Sequence, residues 1–123
     1  GTTKSIKPKF NCIIRRNGEV VATTVVVGRM AWALLSLIHS GDTGCTPITR
    51  PAPRWSHYVF RLRGQGFNVE TIDESHGGSF AGSHARYLLR DQVTVMGGNL
   101  REYLASPEGQ REFRGANFGS VAA

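Results

Sequence analysis

Residues 43–71 read TGCTPITRPAPRWSHYVFRLRGQGFNVET. The run is a turn, a basic amphipathic helix, a glycine stop and an extended strand. Proline is tolerated in a first helical turn because its φ is already set, so the helix is expected to begin near Pro53. From there Trp55, Tyr58, Val59 and Leu62 recur at the i, i+3, i+4, i+7 spacing of a buried stripe. Arg54, His57 and Arg61 fall on the opposite face. Gly64 and Gly66 supply a left-handed stop. Residues 68–72 then alternate polar and apolar, as a half-buried strand does.

The next stretch completes a pattern. SHGGSFAGS at 75–83 holds three glycines and three serines, and ARYLLRDQVTV at 85–95 is again strand-like, marked by Tyr87, Leu89, Val93 and Val95. Strand, flexible loop and strand make a hairpin with a long tip. An arginine-bearing helix followed by such a hairpin is the order of a winged helix-turn-helix.

Here the chain resembles a known family. Small winged helix-turn-helix proteins of bacteria and their prophages carry an arginine and an apolar residue, then Tyr-apolar, Leu-Arg, Gly-apolar, Ile or Val, and Thr. This chain has Arg54-Trp55, Tyr58-Val59, Leu62-Arg63, Gly66-Phe67, Val69 and Thr71 at those places. HARYLL at 84–89 matches the family's return strand of the wing. The likeness runs from about Met30 to Val95, roughly half the chain. Pro47, Pro51 and Pro53 depart from the family pattern and leave little room for a regular second helix. The resemblance implies an α+β fold, a recognition helix over about 53–64 and a wing over about 68–95.

Outside that core the expectations come from local patterns. GTTKSIKPK at 1–9 carries three lysines without periodicity and is expected to be a flexible basic arm. Residues 10–27 form a β-hairpin around Asn17-Gly18, the strongest short hairpin signal, which pairs Arg16 with Glu19. This hairpin could pack on the core or add an edge for a homodimer; the sequence leaves both open. RMAWALLSLIHS at 29–40 is the central buried helix, with Met30, Ala33, Leu34, Leu37 and Ile38 as its stripe. Residues 45–48 form a short strand against the wing. Residues 97–106 restart helix with Asn99 as a cap, and Ser106-Pro107 opens a second short helix, PEGQREF. Residues 97–123 are thus a helical extension and a fraying tail.

Charge points to a polyanionic partner. Residues 1–63 hold ten Lys and Arg against Glu19 and Asp42, while residues 64–123 hold five arginines against seven acids. A basic half of this kind favours nucleic acid. Cys12 and Cys45 lack CxxC spacing and read as free thiols. No run approaches membrane-span length, and the basic start lacks the apolar stretch of a signal peptide, so a cytoplasmic protein is expected.

Candidate chemistry is sparse. The four histidines do not repeat at ligand spacing, no phosphate-binding loop or GxGxxG follows a strand, and Glu70, Asp73 and Glu74 read as an acidic strand end. No catalytic residue, metal, cofactor or small-molecule ligand is expected. The expected partner is double-stranded DNA, bound with sequence preference by a small transcriptional regulator. Arg54, His57 and Arg61 would reach bases or flanking phosphates, and Arg50 would contact phosphate. Ser79, Ser83, His84 and Arg86 of the wing would touch the adjacent backbone, and Lys4, Lys7 and Lys9 would add non-specific affinity. The competing readings are a winged-helix module that docks a protein, and an accessory factor of a mobile element.

Overall fold

A computed structural model describes residues 5–77, 82–116 and 118. The chain opens with a hairpin, β1 (Lys9–Arg16) and β2 (Glu19–Val27). Its turn residues Asn17 and Gly18 take φ of 55° and 80°, as a type I′ turn requires. The apolar helix α1 (Arg29–Ser40) follows, then α2 (Trp55–Gly64). The strands β3 (Val69–His76) and β4 (Gly82–Leu89) pair in antiparallel register to form the wing. After β5 (Gln92–Met96) come two short helices, α3 (Leu100–Ala105) and α4 (Pro107–Phe113). The fold is α+β.

Residues 85–95 do not form one strand. The chain breaks at Arg90-Asp91: β4 stays in the wing, and β5 crosses to β1, giving a three-stranded sheet in the order β2-β1-β5. The physical cause is Asp91, whose side chain is fully enclosed. Its carboxylate accepts from the Asn68 backbone N–H at 2.6 Å and from the Arg16 guanidinium at 2.8 and 3.1 Å. Satisfying a buried carboxylate from three sides pins the corner. The wing therefore ends at Leu89, six residues earlier than the sequence pattern suggested.

The core lies between this sheet and the helices. Phe10, Cys12 and Ile14 point inward from β1 and are at most 1% exposed. They meet Ala31, Leu34, Leu35 and Leu37 of α1, together with Leu100 and Tyr103 of α3. Trp32 of α1 touches Trp55 of α2 at 5.4 Å between centroids, and Trp55 stacks on Tyr87 of the wing at 5.8 Å. One aromatic column thus joins α1, α2 and β4.

Between α1 and α2 the prolines have the expected effect. A 3₁₀ turn over Gly41–Thr43 leads to Cys45, which makes a single antiparallel bridge with Tyr87 instead of a strand. Residues 46–50 form one turn, closed by the Arg50 N–H on the Thr46 carbonyl. The Thr46 hydroxyl accepts from the N–H groups of Ile48 and Thr49, as a cap would.

Three smaller expectations also change. Residues 5–9 do not hang free: Pro8 is buried, and its carbonyl accepts from the Gly28 N–H at 2.8 Å. Asn99 makes no side-chain cap on α3. It clamps this segment instead, accepting from the Lys9 N–H and donating to the Lys7 carbonyl, both at 2.8 Å. Gly64 remains inside α2, so only Gly66, at φ 108°, supplies the left-handed turn. The Ser106 cap of α4 appears as read, its hydroxyl accepting from the Gly109 N–H.

Candidate nucleic-acid interface

Helix α2 forms where an apolar stripe is worth burying. Trp55, Tyr58, Val59 and Leu62 are all buried. The Trp55 indole N–H donates to the Arg50 carbonyl at 2.7 Å, which fixes the ring at the helix entry. The far end is held from three directions. The Arg63 guanidinium donates to the Val69 carbonyl and the Thr71 hydroxyl of the wing. Gln65 donates to the Thr24 hydroxyl and the Val25 carbonyl of β2. Arg16 reaches the Gly66 carbonyl. The helix is thus tied at both ends, and one face is left outward.

That outward face carries Arg54, Ser56, His57, Phe60 and Arg61. Arg54 and Arg61 are exposed and have no hydrogen-bond or ion-pair partner among the described residues; His57 is half-buried, its ring against Tyr58 at 6.3 Å. The sequence stripe did not single out Phe60. It is 73% exposed, the most exposed large apolar side chain of the described chain. Ser56 and Gly64, one turn before and one turn after it, are too small to cover its ring. The available signal was an aromatic residue lying off the buried stripe.

The other expected contact residues sit differently. Arg50 is turned inward: its Nε donates to the Ser36 hydroxyl at 3.1 Å, its guanidinium lies 4.7 Å from the Phe113 ring centroid, and Glu112 is 3.8 Å away. It joins α1 to α4 and is not presented to a phosphate. In the wing, Arg86 and His84 both converge on Glu74, and Arg86 also donates to the Thr43 carbonyl at 2.7 Å. Hydrogen bonding from Arg86 holds the Glu74 carboxyl below its ordinary range. The Arg86 charge is therefore neutralised within the wing, and the His84 ring is held against the same carboxylate. Ser83 is exposed. Lys7 and Lys9 are exposed, on a backbone that Asn99 fixes. Lys4 and Ser79 lie outside the described residues.

Both cysteines are buried and unpaired with one another. Burial pushes the Cys12 thiol up to about 12, so it stays protonated and inert. Among the described residues no group of three His, Cys, Asp or Glu side chains is placed to hold a metal ion, and no helix is long and apolar enough to cross a membrane.

A family model described as a winged helix domain matches residues 23–99, from the middle of β2 to the residue before α3. No curated protein and no solved structure matches the chain.

Proposed function

The chain belongs to the winged helix domain family, and on that premise we propose that it is a sequence-preferring binder of duplex DNA, acting as a small transcriptional regulator in the cytoplasm of a bacterium or for its prophage. One observation carries this reading. Arg54 and Arg61 stand unpaired on the outward face of α2, while Arg16, Arg50, Arg63, Arg86 and Arg90 are all engaged within the fold. Unpaired cations on a rigid, convex helix suit a phosphate-walled groove.

In this proposal α2 lies in the major groove. Arg54, His57 and Arg61 reach base edges or flanking phosphates, an arginine fork matching guanine O6 and N7 together. Phe60 lies between them and supplies an apolar contact, for which the thymine methyl is the partner the groove offers. Ser83 approaches the adjacent backbone, and Ser79 is proposed as a second contact there. His84 and Arg86 shape the wing through Glu74 and contribute little direct contact. Lys4, Lys7 and Lys9 add salt-sensitive affinity.

The test is a titration of the full chain against duplex DNA over a range of salt. The expected result is an affinity that falls steeply with salt, and that is lost when Arg54, His57 and Arg61 all become alanine while the melting temperature holds. If the triple variant binds as the parent does, α2 does not read DNA, and protein docking replaces this reading. A homodimer has one observation in its favour: Val20, Val21, Val25 and Val27 of the edge strand β2 are 39–55% exposed. Sedimentation at micromolar concentration decides it, and a monomer there removes the dimer from the proposal.

A further inference from the structure

Lys7, Arg29 and Arg111 line a cavity of about 450 Å³ that shares no residue with the outward face of α2. It opens between the segment leading into β1, the first turn of α1 and the first turns of α4. Among the described residues Glu108 is the one acidic side chain lining it. Three cations against one carboxylate give the opening a positive field, which low-dielectric walls concentrate. Those walls include Pro8, which is buried, and Trp32, which is 2% exposed.

Trp32 supplies a reporter on the cavity. Its indole N–H is enclosed and has no hydrogen-bond partner among the described residues. A buried indole N–H ordinarily finds an acceptor, and leaving the donor unpaired is costly. The Arg29 guanidinium lies 4.2 Å from the centroid of the same ring, so a ligand held by Arg29 is sensed at that indole.

We propose that this cavity binds a small organic carboxylate with an apolar body. The carboxylate takes its charge complement from Arg111, Lys7 and Arg29, and the apolar body lies on Ile6, which is half-buried, and Pro107, which is exposed. The volume falls within the roughly 300–1,000 Å³ of small-molecule sites, and the mix of apolar walls with a few converging polar groups is theirs too. Inorganic phosphate would satisfy the cations but leave the apolar walls unused. Trp32 touches Trp55, the first residue of α2, so occupation is felt directly beneath that helix.

The experiment follows the Trp32 indole N–H resonance of the ¹⁵N-labelled full chain, assigned by comparison with Trp55→Phe. Naphthalene-2-carboxylate is the probe, with naphthalene-2-carboxamide and inorganic phosphate as its controls. The carboxylate should shift the resonance saturably, and the two controls should bind far more weakly. Arg111 is exposed, so Arg111→Gln should leave the melting temperature unchanged and weaken carboxylate binding roughly tenfold, the order of one lost charge-assisted hydrogen bond. The proposal is overturned if no saturable shift appears, if the amide matches the carboxylate, or if Arg111→Gln binds as the parent does. It is also overturned if phosphate alone gives the full shift, which would make the cavity a phosphate seat. None of these outcomes tests base reading by α2, because neither Arg111 nor Trp32 lies on its outward face.

Discussion

The outward face of α2 and the wing with its exit carry two arginines each and hold them in opposite ways. In the wing, Arg86 and His84 are spent on Glu74, and Arg90 donates to Glu70 at 2.7 Å. On α2, Arg54 and Arg61 have no partner among the described residues. Half-exposed ion pairs contribute little stability individually, but each fixes a side chain and cancels its charge toward a ligand. Counting cations along the sequence therefore overstates the wing as a binding surface and understates the difference between the two regions.

The largest expected effect tests the scaffold that both regions share. Trp55 meets Trp32, Tyr58 and Tyr87, and is 2% exposed. Trp55→Ala should cost about 3–5 kcal/mol in urea unfolding, the range for large aromatic truncations in cores. A variant that unfolds like the parent would mean that the aromatic column does not hold α2 to the wing, and the two faces would lose their common frame.

The next effect separates the faces directly. Arg61→Ala should cost about 1–3 kcal/mol of duplex affinity and relax preference at one base position. Arg86→Gln should leave duplex affinity and base preference unchanged, because the guanidinium it removes already faces Glu74 and Thr43. Equal losses from the two variants, read by parallel binding titrations, would break the comparison.

Much of this arrangement was legible in the sequence, for local reasons. The stripe of Trp55, Tyr58, Val59 and Leu62 needs only helical periodicity, and Asn17-Gly18 needs only turn chemistry. The corner at Asp91 was not legible, because it depends on Arg16 and on the Asn68 N–H, 75 and 23 residues away in the chain. Arg50 was misleading for the same reason: its partners Ser36 and Glu112 come from α1 and α4. Phe60 was visible as an aromatic residue off the stripe, yet only the folded helix shows that Ser56 and Gly64 leave it bare.

A pH change sharpens the wing side of the comparison. The folded value of Glu74 is lowered from its ordinary 4.5, chiefly by its hydrogen bond from Arg86. The sign follows from linkage: the stabilisation is present above 4.5 and is lost as pH falls through the lower folded value. Protection of the β3 and β4 amides, relative to the unstructured exchange rate at each pH, should therefore fall below about pH 4.5, with Glu74→Gln already less protected at pH 7. If both proteins show the same profile, the cluster does not hold the wing.

The smallest expected effect belongs to Lys9. Its backbone is fixed by Asn99, through the Lys9 N–H and the Lys9 carbonyl, so its position on the fold is set while its side chain remains exposed. If that side chain meets one phosphate, it releases about one counterion on binding and reads no base. Lys9→Ala should then weaken all duplex sequences alike and flatten the slope of log affinity against log salt by about 0.9. The backbone clamp survives the substitution, because Asn99 bonds only main-chain atoms there, so the melting temperature should hold. A sequence-dependent loss would place Lys9 at a base edge, and an unchanged slope would remove it from the interface. In the second case the salt dependence would rest on the unpaired cations of α2 together with Lys4 and Lys7.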